Sequence, residues 1–396
     1  MTPLDANRSK AAAPSAPVKS KRDPRLDVLR GLALIIIFID HVPENLYSFY
    51  TMRMYGFSDA AEAFVLISGI SAGLAYSGRF VAGSLMETAK RIWRRAGTIY
   101  GAHLFSTLVV LALATPFLVR FGMEEFAELN GLSWLWEQPL GTVAGSALLT
   151  YQVSYFNILP LYIVLFAALP ALLLLGKRSI GLMLSVSFAV WLVARYFEVR
   201  LPAYPADWAW FFNPFCWQLL FAIGLAVGIA NRRGKALVSF HPVLYAASVA
   251  FVVYSVWWRL IGEYNFPFPA FMPDFIADTS KEWLSLPRIA HILALAYIVV
   301  YMPGLKRFLS LPVFEPINVM GRASLATFVT GSLTAFAFQI LREMTGVTVL
   351  GDTLLLLAGI AIQYFAARTA LARAGKAKAI PPAITPPPEA AIKRSG

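Results

Sequence analysis

The sequence predicts an all-α, polytopic membrane protein of about ten transmembrane helices with both termini in the cytoplasm. Three observations predict it. Of the 396 residues, 58% are hydrophobic and 14% charged, with a mean hydropathy of +0.63, which is more apolar surface than one soluble core can hide. Apolar runs of spanning length recur along the chain. Lys and Arg gather in alternate connections between those runs.

The runs fall at 26–42, 57–77, 97–120, 156–175, 179–197, 214–231, 242–261, 288–303, 321–341 and 351–371. With the N-terminus inside, the inner connections are 78–96 (Arg79, Lys90, Arg91, Arg94, Arg95), 176–178 (Lys177, Arg178), 232–241 (Arg232, Arg233, Lys235) and 304–320 (Lys306, Arg307). Between Arg120 and Lys177 there is no basic residue, only acidic ones, Glu124, Glu125, Glu128 and Glu137. That asymmetry is the positive-inside pattern. The outer connections 198–213 and 262–287 are rich in Trp, Phe, Tyr and Pro, and 131–155 is amphipathic. Aromatics of this kind anchor a chain at the membrane interface or form a surface on which sugars stack.

Residues 26–371 are expected to form the membrane domain. The tails 1–25 and 372–396 carry +4 each of a net charge of +12, and their Ala, Pro and Ser content predicts disordered, basic cytoplasmic segments touching anionic lipid. Because the excess charge sits there, nucleic acid is not an expected partner. No small-residue cleavage motif follows the first apolar run, so an uncleaved first helix is expected. Cys216 is the only cysteine and the four histidines are scattered, so neither a disulfide within the chain nor a metal site is expected. There is also no nucleophile elbow, phosphate-binding loop or dinucleotide fingerprint.

The first run, RLDVLRGLALIIIFIDH, carries Asp27, Arg30, Asp40 and His41. On an α-helix Arg30 and His41 share a face about 16 Å apart along the axis, with Asp27 close to the same stripe. Ionisable groups at membrane depth face a bundle interior or a wet cavity, because lipid cannot solvate them. One face therefore joins an anion-binding group near the inner end to a proton-transfer group near the outer end, with Asp27 holding Arg30. In the second run Glu62 lies at about the depth of His41, where it, or Asp40, could orient the imidazole. Gly69 and Gly73 follow at the spacing that lets a neighbouring helix backbone approach closely. The inner stretch Lys90, Arg91, Arg94 and Arg95 suits topology and lipid contact, and also the bidentate binding of phosphates.

These segments together resemble the acyltransferase-3 superfamily of integral membrane O-acyltransferases. The shared elements are Arg30 and His41 in an Arg-x10-His pattern, FVLISG from Phe64 to Gly69, and KRIWRR from Lys90 to Arg95. RLDVLRG, DAAEAFVLISG and FNILPLYI at 156–163 are similar to the OpgC branch, which is associated with succinyl transfer to osmoregulated periplasmic glucans. The motifs cover roughly the first 165 residues. The resemblance implies a multi-pass protein of the bacterial inner membrane that takes acyl-CoA, succinyl-CoA in the branch, as donor and a periplasmic glucan as acceptor. It implies His41 as general base, with Arg30 lining the acyl route and Arg91, Arg94 and Arg95 on the coenzyme A phosphates; beside it, the residues themselves favour Glu62 over Asp40 as the orienting partner of His41 and place Asp27 with Arg30 on the donor side.

Ser68, Tyr151, Asn157 and Gln218 are polar candidates for carbonyl or acceptor contacts, Ser68 on the donor side and Tyr151 and Asn157 on the acceptor side. Arg288 and His291 are candidates for the acceptor or for the free carboxylate of a succinyl group. His103 reads as a packing residue. O-acetyl transfer to another extracytoplasmic polysaccharide stays open, as does a secondary transporter using Asp27, Arg30 and Glu62, although no internal repeat points to one.

Overall fold

The computed structural model describes residues 24–81, 84–206, 208–262, 272 and 277–379. The tails at 1–23 and 380–396 and half of the aromatic connection 262–287 lie outside the described residues. Within them the fold is all-α, with no β-strand and one isolated bridge between Pro202 and Ala209. The helices are α1 (Pro24–Asp40), α2 (Ala60–Val81), α3 (Leu85–Phe121), α4 (Glu124–Leu129), α5 (Trp134–Glu137), α6 (Pro139–Ala147), α7 (Ile158–Arg178), α8 (Ile180–Tyr196), α9 (Pro214–Arg232), α10 (Pro242–Trp257), α11 (Leu286–Tyr301), α12 (Leu305–Phe308), α13 (Glu315–Arg322), α14 (Ser324–Thr345) and α15 (Val349–Ala379).

Every apolar run falls on a helix. Seven helices are long and apolar enough to cross a membrane: Ala60–Gly78, Leu85–Phe121, Ser154–Arg178, Pro214–Arg232, Pro242–Gly262, Ser324–Thr345 and Val349–Gly375. α8 and α11 are apolar but shorter, and α1, at 17 residues, carries Arg25, Asp27, Arg30 and Asp40. The boundaries depart from the apolar runs in physically simple ways. α3 starts at Leu85, because the basic stretch is itself an amphipathic helix continuous with the span. α15 runs to Ala379, into the segment expected to be a tail, because its Ala, Arg and Lys are good helix formers and Pro381 lies just beyond. The last turn of the 321–341 run's N-terminal side belongs to a separate helix, α13, and α14 begins at Ser324.

Two close crossings set the frame around the first helix. Gly69 and Gly73 of α2 meet Gly224 and Gly228 of α9 reciprocally: a Cβ at Gly69 would strike the Phe221 carbonyl, and one at Gly228 the Ile70 carbonyl. The small-residue spacing read in α2 thus has its partner in α9, and the two backbones touch. α13 makes a second close approach, to α1, where a Cβ on Gly31 would strike the Ile317 carbonyl and one on Gly321 the Asp27 carbonyl. α14 and α15 complete the surroundings, with the ring of Phe38 against the bare Cα of Gly359.

The segment 131–155 folds into α5, α6 and an irregular stretch. Pro139 starts α6 and the Thr142 hydroxyl donates to the Trp134 carbonyl at 2.7 Å. Residues 42–59 turn back from α1 to α2 through two short 3₁₀ turns, which Asn45 organises by accepting from the Ser48 N–H at 3.0 Å and donating to the Ile39 carbonyl at 2.9 Å.

Candidate active site

Arg30 and His41 open onto two cavities. The first, about 210 Å³, is lined by Arg30, Ser68, Ser71, Tyr76, Arg95 and Tyr162 among mainly apolar neighbours. The second, about 920 Å³, holds His41 with Asp40, Arg53, Asp59, Tyr155, Asn157, Phe211, Phe212, Lys281, Gln339 and Arg342. Ile158 and Phe328 line both, so an apolar pair separates them. The connections read as external, 43–56, 121–155 and 198–213, all contribute to the cavity at the His41 end, whereas Arg95 of the basic stretch lines the other.

Arg30 is held as the sequence suggests. It is 7% exposed, and its Nη1 donates to Asp27 Oδ1 at 3.1 Å and to the Gly321 carbonyl at 3.3 Å, while Nη2 donates to the Ser71 hydroxyl. The Gly31 and Gly321 crossing makes this possible, because only a bare backbone brings that carbonyl so close to α1. Asp27 is itself buried, and removing it would strand a guanidinium in a low-dielectric site at a cost of about 3–5 kcal/mol. Beside this pair the Tyr162 hydroxyl donates to Ser68 Oγ at 3.0 Å, so Ser68 lies on the inner cavity wall.

His41 lies one residue past the end of α1. Its ring stacks on Tyr155, centroids 4.4 Å apart and planes 19° from parallel, and meets Phe328 edge-on at 6.5 Å. Nδ1 is buried without a hydrogen-bond partner. Two side chains of α14 hold the turn: Gln339 Nε2 donates to the His41 carbonyl at 2.7 Å, and Arg342 donates to the Pro43 carbonyl while Nε holds Asp352 Oδ1 at 2.8 Å. Asp40 accepts from the Thr51 hydroxyl at 2.7 Å.

Glu62 is not the partner of His41. It is fully buried and pairs with Arg288, Nε to Oε1 2.6 Å, while its other oxygen accepts the Asp59 N–H at 2.9 Å. Asp59 in turn binds Lys281 Nζ at 2.7 Å and Arg288 Nη2 at 3.2 Å. Glu62 faces Arg288 of α11, a cation far off in sequence, rather than the imidazole. Arg288 is consequently committed to these two carboxylates. His291 packs behind it, with Nδ1 accepting from the Ser58 hydroxyl at 2.7 Å, and both residues belong to the wall that fixes the start of α2.

The other candidates divide. Of the basic cluster, Arg95 lines the Arg30 cavity, while Arg91 and Arg94 are exposed and do not line it. Asn157 lines the outer cavity. Tyr151 is buried and its hydroxyl donates to the Gly131 carbonyl at 2.8 Å; burial pushes the phenol above its ordinary range, which suits a structural tie rather than an acid. Gln218 donates to the Ser187 carbonyl at 2.7 Å and so joins α9 to α8. His103 is buried at the Ser146 carbonyl, a packing position as read. Tyr155, Phe328, Gln339 and Arg342 were missed; a lone aromatic or amide in an apolar sequence carries no local signal of what it will face.

No curated protein matches the chain, and no solved structure does. A protein-family model does, the one described as OpgC protein, over residues 22–374, which takes in the first helix, both cavities and all but the two tails. The chain belongs to the OpgC protein family.

Proposed function

We propose that this protein is a membrane O-acyltransferase that moves an acyl group, succinyl from succinyl-CoA, across the bacterial inner membrane onto hydroxyls of a periplasmic glucan. The observation that carries the reading is the meeting of the two cavities at Phe328 and Ile158, with Arg30 and Arg95 on one side and His41 on the other. In this reading the phosphate-bearing end of the donor stays near the basic inner face, and its thioester reaches the outer cavity.

His41 takes the proton of an acceptor hydroxyl as the oxygen attacks the thioester carbonyl. The tetrahedral intermediate collapses, the C–S bond breaks, and the thiolate takes the proton back from the imidazolium. Since Nδ1 is buried, Nε2 is the nitrogen for this work. Among the described residues no carboxylate hydrogen-bonds the ring; the Tyr155 stack and the Gln339 bond to the His41 carbonyl hold its position. Donors for the oxyanion come from the outer cavity, where Asn157, Gln339 and Lys281 supply N–H groups.

The test is direct. Purified protein in nanodiscs, given succinyl-CoA and glucan, is expected to release free thiol and to add succinyl mass to the glucan. His41→Ala, inserted and monodisperse, is expected to do neither. Wild-type protein that yields no thiol, or a His41→Ala variant that acylates normally, overturns the reading.

A further inference from the structure

We infer that a third cavity, opening beside the outer one, is a saccharide subsite that holds a sugar residue of the acceptor away from the reacting hydroxyl; the inference rests on the acyltransferase reading for the acceptor's class. This cavity, about 320 Å³, is lined by Gln152, Asn157, Arg200, Trp208, Phe211 and Glu282. Asn157 and Phe211 also line the His41 cavity, so the two are continuous.

The fold builds this place rather than leaving it to a loose loop. Residues 201–206 and 208–210 close on each other, with Ala203 N–H donating to the Trp208 carbonyl and Trp210 N–H to the Leu201 carbonyl, both at 2.9 Å. The Thr150 hydroxyl donates to the Tyr204 carbonyl at 3.0 Å and ties the turn to the segment after α6. Trp210 and Phe212 are buried and root the turn, whereas Trp208 and Phe211 are 51% and 46% exposed and line the cavity. Trp208 is braced edge-on by Trp134, centroids 6.2 Å apart.

The chemistry of the lining selects the ligand. Arg200 Nη1 lies 3.2 Å from Glu282 Oε1, so the two charges cancel, and the remaining polar groups are carboxamides. A lining without net charge does not favour an anion, in contrast to the inner cavity with Arg30 and Arg95. Aromatic faces match the apolar face of a pyranose ring. Planar amide, guanidinium and carboxylate groups match pairs of neighbouring hydroxyls. A neutral, ribbon-like oligosaccharide of glucose meets each requirement, and its next residue then projects toward His41.

The experiment uses full-length protein in nanodiscs titrated calorimetrically with a β-linked glucose tetrasaccharide, with glucose alone as the short control. Wild type is expected to bind the tetrasaccharide better than glucose. Trp208→Ala is expected to weaken tetrasaccharide binding by about tenfold, and Trp208→Tyr, which keeps an aromatic face, to restore it to within about threefold. Equal binding by wild type and Trp208→Ala overturns the subsite, as does equal loss in the Ala and Tyr variants. Binding with the expected pattern but no acyl transfer by wild type overturns the transferase reading and leaves the subsite. Acyl transfer at limiting glucan that is undiminished in Trp208→Ala does the reverse.

Discussion

The imidazole of His41 and the phenol ring of Tyr155 are stacked, 4.4 Å between centroids and 19° between planes, at the point where the first helix gives way to the outer cavity. A stacked ring fixes the imidazole plane without touching its nitrogens, so the nitrogen facing the cavity keeps its lone pair for the acceptor proton. Tyr155→Ala is expected to lower kcat by about tenfold or more, with the KM for the donor little changed, and Tyr155→Phe to restore it, since the ring and not the hydroxyl does the positioning. Steady-state thiol release in the three proteins checks this.

Arg30 and Asp27 behave as one buried unit. Asp27→Ala takes the neighbouring carboxylate away from the buried guanidinium, which keeps the Gly321 carbonyl and Ser71, and is expected to destabilise the folded protein by about 3–5 kcal/mol. Arg30→Lys is expected to fail as a substitute, because an ammonium cannot reach Asp27, the Gly321 carbonyl and Ser71 as a fork does. Unfolding in detergent, followed by tryptophan fluorescence, measures both.

The ion pair of Glu62 and Arg288 joins α2 to α11, and its energetic signature is coupling rather than an altered base. Each single change to Ala is expected to be severe and the double change less than additive, with an interaction of about 1.5–3 kcal/mol. A stability cycle over the four proteins reads this. Were Glu62 instead the orienting partner of His41, the cycle would couple Glu62 to His41 and not to Arg288.

The basic cluster separates by exposure: only Arg95 of the three lines the Arg30 cavity. Arg95→Ala is expected to raise the KM for acyl-CoA by about tenfold, the loss of one charge-assisted contact, while Arg91→Ala and Arg94→Ala stay within about threefold of wild type. Donor titrations at saturating glucan check the contrast, and equal effects at all three positions would return the cluster to a diffuse electrostatic role.

Gly224→Leu places a side chain against the Leu66 carbonyl in the α2 and α9 crossing, where neither backbone has room to give. Loss of the monodisperse peak on size-exclusion chromatography is the expected result, and the same change at Gly97, where nothing lies within 4 Å, is expected to be tolerated.

The course of the helices was legible because membrane spans are written in composition: every apolar run lies on a helix, and the Gly69 and Gly73 spacing announced a close partner. The pairing of Asp27 with Arg30 was legible for a similar reason, being set within one turn. Glu62 misled because periodicity gives depth and face but not the neighbour, and Arg288 competes for it from 226 residues away. The packing around His41 was hidden for the same reason. Tyr155 comes from the turn before α7 and Phe328 and Gln339 from α14, and each resembles any apolar or amide residue of a span until the bundle closes.

Phe328 and Ile158, the two side chains shared by the inner and outer cavities, impose a further duty on the bundle. Under the acyltransferase reading, a passage that lets a thioester arm through must not short-circuit the proton gradient of the cell, and an aromatic ring and a branched aliphatic chain lining it disfavour a continuous file of water. The neck proposed to guide the acyl chain would thus also be an insulator. Its width is set by two opposing demands, cargo passage and electrical tightness, so a cell carrying Phe328→Ala would lose membrane potential even where the glucan is never modified.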